Sequence, residues 1–362
     1  MIRTRAVTYF HGFDPASVAR YRRIFETSSA RLGVATGNLP DGEPGWVAHR
    51  DFTRTRVHHA RYEDLVRAFQ NPSTNARLGR GVRTLLVMLA DGTLLRLARR
   101  APRALALALS PVLFTLVPIL TAAAILAPLD LIDAALIFVL GIGLLFLADR
   151  LFLLLVADLF AYFHEIARGT SDASLAHATR IAEIAQTIPT DADETLVVGH
   201  SLGGIAAIHA TGAVLERLPE DGSLNLLTLG SNHGIILLQP GEGRDRLAAA
   251  ITRICSDKRV FWVDISSPRD AFCVPLTDPL DLIRPDAEAH SPRILSAQLA
   301  RAPRIPGDRR TAFAAMRRHM GYLLEPVSDG GFDYADAVAG GQSLADRFGE
   351  RQNSPKARMW HG

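Results

Sequence analysis

A short apolar run that ends in two glycines flanking a serine limits this chain more than any other feature. Thr195 to Val198 leads directly into Gly199-His200-Ser201-Leu202-Gly203, and the alanine-rich stretch Ile205 to Leu215 follows. The pattern demands a strand, a very tight turn and a helix. A side chain at either glycine would collide with the neighbouring strand or helix. The turn would lift the Ser201 hydroxyl above a sheet edge and aim a helix N-terminus at it, where negative charge can be stabilised.

The rest of the chain, one apolar block apart, alternates strand-like and helix-like segments. Strands are expected at Ala6 to Phe10, within Trp46 to His58, and at Thr195 to Val198, Leu224 to Leu229 and Val260 to Ile265. Helices are expected at Pro15 to Leu32, Ala60 to Gln70, Asp172 to Thr187, Leu202 to Leu218, Arg244 to Ile254 and Thr311 to Leu324. Such alternation argues for an α/β fold: a mainly parallel sheet with helices on both faces. Beyond Gly340 the chain reads as a polar, poorly ordered tail, 341–362.

The apolar block is where composition matters. Hydrophobic residues make up 48% of the chain and charged residues 21%, and the excess is concentrated. No charge occurs from Ala104 to Leu129, despite Pro111 and Pro118. As a helix this stretch spans roughly 39 Å, against ~30 Å of bilayer hydrocarbon. A second run is uncharged from Ala134 to Ala148, meets Asp149 and Arg150, and continues to Ala157. Two transmembrane helices are therefore expected, at about 104–129 and 134–157, within an insertion 84–168. Arg77, Arg80, Arg83, Arg96, Arg99, Arg100 and Arg103 precede the first, Arg150 and Arg168 flank the second, and the connection Pro128 to Asp133 has no basic residue. The positive-inside rule puts both flanks in the cytoplasm.

Other classes find no support. The net charge of +3 comes without the basic, aromatic-interleaved face of a nucleic-acid binder. Cys255 and Cys273 fit no metal spacing and no disulfide framework, and read as free thiols in a reducing compartment. No secretory signal peptide is visible. No motif calls for a metal or an organic cofactor.

With Gly199-His200-Ser201-Leu202-Gly203 in this context, the chain resembles the α/β-hydrolase superfamily, especially its lipases and esterases, and bacterial membrane-anchored members with a hairpin inserted in the core. The resemblance covers Ala6 to about Leu324, interrupted by the apolar insertion, which divides the expected hydrolase domain into 1–83 and 169–340. It implies the chain order nucleophile, acid, histidine. His11-Gly12 after the first strand looks like the lipase oxyanion loop, which implies the Phe13 and Leu202 amides as oxyanion donors. The acid is expected after the strand at Val260, with Asp270 preferred over Asp264 and Asp278. The base is expected to be His319, ahead of His290 and His361. The implied activity is a serine hydrolase cleaving a lipophilic carboxylic ester at the cytoplasmic face of a bacterial inner membrane. The alternative is a catalytically silent hydrolase fold serving as a membrane scaffold or binding module.

Overall fold

A computed structural model describes residues 1–15, 18–126, 143, 152–284, 289–299, 302–305, 311, 313–324, 326 and 331–355. In chain order the strands are β1 (Thr4–Phe10), β2 (Ala35–Gly37), β3 (Gly45–Arg50), β4 (Thr53–His59), β5 (Glu194–His200), β6 (Leu224–Leu229), β7 (Val260–Ser266) and β8 (Arg293–Ser296). The helices are α1 (Val18–Ser29), α2 (Glu63–Gln70), α3 (Thr74–Ala90), α4 (Thr93–Arg100), α5 (Pro102–Leu126), α6 (Leu153–Arg168), α7 (Asp172–Gln186), α8 (Leu202–Val214), α9 (His233–Leu237), α10 (Glu242–Ser256), α11 (Pro279–Ile283), α12 (Ala314–Met320), α13 (Tyr334–Ala339) and α14 (Leu344–Phe348).

The fold is α/β, with one eight-stranded sheet in the order β2-β3-β4-β1-β5-β6-β7-β8. Only the β2–β3 and β3–β4 pairs are antiparallel; the rest are parallel. The central strands explain why. Every residue of β5 and β6 is buried, as expected for strands covered on both faces. The β4 sequence instead alternates exposed or half-buried arginine and histidine with buried residues, as suits a strand with one wetter face.

Register brings the functional loops to one edge. Phe10 pairs with Gly199, His200 with Leu229, and Leu229 with Ile265. The segments after β1, β5, β6 and β7 therefore leave the sheet at nearly the same height. That edge, at the carboxyl ends of parallel strands, is where α/β proteins build sites.

Several helix ends are tighter than the periodicity predicts. The helix expected to Leu32 closes at Ser29 and finishes as a 3₁₀ turn, Ala30–Leu32. The one expected to Leu218 stops at Val214. The one expected over Thr311 to Leu324 is α12 followed by a 3₁₀ turn, Gly321–Leu323. The tail is a correction, since the chain beyond Gly340 forms α14 with two buried side chains, although residues 350–353 are exposed. Leu344 and Phe348, one turn apart on α14, are buried. Arg5, itself buried, pairs with Glu194 and donates to the carbonyls of Val338, Gly340 and Gln342. Further on, Ser354 donates to the Ile294 carbonyl and so covers the open edge of β8.

The first expected transmembrane helix falls on α5, where several side chains from 115 onward lie outside the described residues. The connection and most of the second expected span, at 134–157, also lie outside them. Among the described residues no helix is long and apolar enough to cross a membrane. Residues 153–157 begin α6, which packs against α3, α5, α7, α9 and α10. Its Asp158 is fully buried and accepts from Arg77 at 2.7 Å and Arg80 at 2.6 Å. That ion triad ties α6 to α3; removing its carboxylate would leave two half-buried cations unpaired.

Candidate active site

Ser201 occupies the turn between β5 and α8 with φ 60° and ψ −124°, a backbone conformation that L residues rarely adopt. Close packing enforces it. A Cβ on Gly203 would sit 2.0 Å from the Phe10 carbonyl oxygen, and one on Gly199 would sit 2.4 Å from that of Gly203. The turn is held by the Ser201 amide, which donates to the Leu229 carbonyl at 2.9 Å.

The loop after β1 closes over the serine. A Cβ on Gly12 would lie 3.1 Å from Ser201 Cβ, so a side chain there would crowd the serine. His11 does not face the cleft. Its ring stacks on Tyr62 at 4.2 Å and its Nδ1 bonds the Gly12 carbonyl at 2.7 Å. Tyr62 O–H donates to the His11 carbonyl. The histidine thus shapes the loop from behind. The Asp14 amide donates back to Gly12, closing a tight turn around Phe13. Among the described residues neither the Phe13 amide nor the Leu202 amide, at the first position of α8, has a hydrogen-bond partner.

Beyond β7, Asp270 is buried and accepts from three donors: His319 Nδ1 at 2.8 Å, Tyr322 O–H at 3.0 Å and the Phe272 amide at 2.9 Å. Burial alone would raise its pKa. The His319 charge and these hydrogen bonds more than offset it and hold the carboxyl below its ordinary range. Of the competing acids, Asp264 lies within β7, accepts from Thr228 Oγ1 at 2.6 Å, and is pushed up by burial. Asp278 caps α11 through the Leu280 amide. Among the histidines, His290 is exposed, and His361 lies outside the described residues.

His319, on α12, is buried between the Phe272 ring at 4.5 Å and the His200 ring at 5.0 Å. Its backbone carbonyl is held by His200 Nε2 at 2.9 Å. His200 itself is pushed down to about 3, first by burial and then by repulsion from His319. The His319 Nε2 atom is buried with no hydrogen-bond partner. The Ser201 hydroxyl donates instead to Asn232 Oδ1 at 3.1 Å. Asn232, just after β6, donates its own amide to the Phe272 carbonyl.

Ser201, His200, His319, Gly12 and Phe13 line one cavity with Leu155, Leu159, Phe272, Met316 and Met320, and Asp14 and Arg20 form an ion pair in its wall. Its volume of about 30 Å³ has room for a water or two. The sequence reading missed Asn232, Tyr322, Phe272 and the two leucines of α6. Tyr322 carried a faint signal, lying three residues after His319. The others carry no local signature. Among the described residues no group of side chains could hold a metal ion.

Compared with known proteins, the chain matches no family model, no curated protein and no solved structure.

Proposed function

We propose that this protein is a serine hydrolase of the α/β-hydrolase type that cleaves a lipophilic carboxylic ester through an acyl-enzyme on Ser201. The observation that carries the proposal is the convergence of three elements, two lining one cavity and the third bonded behind them. These are a serine in a strained, glycine-flanked turn, an imidazole whose Nε2 is unpartnered, and a buried carboxylate on that imidazole's other nitrogen.

The chemistry follows from the geometry. The Ser201 hydroxyl leaves Asn232 and turns to His319 Nε2, which takes its proton as Oγ bonds to the ester carbonyl carbon. The carbonyl electron pair moves onto oxygen, facing the Phe13 and Leu202 amides, each worth ~3 kcal/mol of barrier. On collapse His319 gives its proton to the leaving alcohol. Water then repeats the sequence and frees the acid. Asp270 keeps the imidazole oriented and stabilises its charged form.

The lipid-facing part of the proposal rests on the insertion. We place a membrane hairpin within about 104–152, ahead of the core-packed start of α6, in a bacterial inner membrane, with the catalytic domain on the cytoplasmic side. Support comes from Leu113, Phe114 and Val117 of α5, which are each half exposed, and from the arginines that flank the block. Leu155 and Leu159, in the first turns of α6, wall the Ser201 cavity, so an acyl chain entering along that helix would meet them first.

A second reading, a silent scaffold, is favoured by one observation: the Ser201 hydroxyl rests on Asn232 and not on His319. One experiment separates the two. A fluorophosphonate probe should label the wild type and not Ser201→Ala, and that variant should lose ~10⁶-fold in ester turnover. A folded wild type that stays unlabelled would refute the enzyme.

A further inference from the structure

A second cavity, remote from the chemistry, lies between α3 and α6. It encloses about 610 Å³, within the size range of small-molecule sites. One helix face on each side lines it. α3 presents Gly79, Arg80, Arg83, Thr84 and Val87; α6 presents His164, Glu165 and Arg168. The spacing of three and four residues puts each set on a single stripe.

The charge there is unbalanced. Arg80 is committed to buried Asp158, together with Arg77. Arg83 and Arg168 are exposed, and among the described residues neither is in an ion pair. These two guanidiniums line a roomy cleft whose one acidic lining residue, among the described residues, is Glu165. Guanidinium geometry suits a phosphate, whose oxygens accept paired N–H donors.

The neighbouring surface narrows the source. Val82, Leu86 and Leu89, at successive turns of α3, are exposed, the two leucines at 62% and 64%. They alternate along the helix with Arg83 and Val87 of the cleft. A phosphate with acyl chains attached could place its headgroup between the arginines and its chains along this stripe. We propose that the α3–α6 cleft binds a phosphate monoanion, held by Arg83 and Arg168. The site is separate from the Ser201 cavity, to which α6 presents Leu155 and Leu159 instead. It stands whether or not Ser201 is catalytic.

The test is thermal unfolding of the full-length protein in uncharged detergent. Inorganic phosphate and dihexyl phosphate, a lipid-like diester with no carboxylic ester to cleave, are titrated against chloride at matched ionic strength. A saturable rise in melting temperature with dihexyl phosphate alone supports the proposal with a lipid headgroup as the source. A rise with both supports it with phosphate itself as the recognised group. Arg83→Gln and Arg168→Gln should each weaken the effect by about tenfold, whereas Arg99→Gln should leave it unchanged. Both arginines are exposed, so the ligand-free melting temperatures of the variants should match the wild type. No rise with either probe at millimolar concentration, or a rise that persists in both variants, overturns the proposal.

Discussion

The interior treats its histidines in two ways. His319 shares a hydrogen bond with a buried carboxylate, Asp270. His11, His177 and His200 are buried as deeply, yet none is hydrogen-bonded to a carboxylate. His11 bonds the Gly12 carbonyl, His177 the Tyr162 hydroxyl and His200 the His319 carbonyl. Burial pushes His11 down to about 4 and the other two to about 3. The same side chain, equally hidden from water, is a structural wedge in one place and a candidate base in another. The counter-charge makes the difference, because an imidazole taking a proton in a low-dielectric interior needs a nearby negative charge.

The largest break of this contrast is Asp270→Asn. It should leave the fold in place and lower kcat for ester turnover by ~10⁴. Stopped-flow or steady-state assays of the folded variant check this, and near-normal turnover would erase the distinction between His319 and the rest. The second lever is pH. In the unfolded chain the three partner-poor histidines take up protons below about pH 6.5. In the fold they stay neutral until about pH 4 for His11 and about pH 3 for His177 and His200. Lowered folded-state values mean that stability is complete above that window and declines as pH falls through it. Each histidine contributes up to ~1.4 kcal/mol per pH unit. Asp270, held below the carboxylate range, adds little at pH 5, where it is ionised in both states, and its contribution is lost only as pH falls through the ordinary carboxylate value and below. Urea unfolding at neutral pH and at pH 5 should show the loss; a flat profile would mean that these rings are not held neutral. The smallest effect is expected from Tyr322→Phe, which removes one donor to Asp270 and orphans the Ser267 amide. It should lower kcat about tenfold with KM unchanged, read from a full Michaelis curve.

What could be read from the chain beforehand follows the range of the forces involved. The turn at Ser201 was legible because its constraint is local: glycines two residues either side, a strand before and a helix after. Asp270 and His319 were nameable only through a resemblance and chain order, with Asp264, Asp278 and His290 still competing. The structure puts Asp264 inside a strand, Asp278 at a helix cap and His290 at the surface. Asn232 had no motif to announce it and Tyr322 only its place three residues after His319; they matter because the turns after β6 and α12 bring them onto Ser201 Oγ and Asp270. The chain beyond Gly340 misled because its composition is polar, while Leu344 and Phe348 find buried seats that depend on Arg5 and Glu194, far away in sequence.

By itself the sequence determined an alternating α/β chain and a sharp serine-bearing turn, since backbone sterics and hydrophobic periodicity act over a few residues. Only the tertiary structure decided which carboxylate meets which imidazole, where the serine hydroxyl rests, and how α3 and α6 enclose a basic cleft. Those outcomes depend on contacts between segments tens to hundreds of residues apart, and packing and burial choose among them.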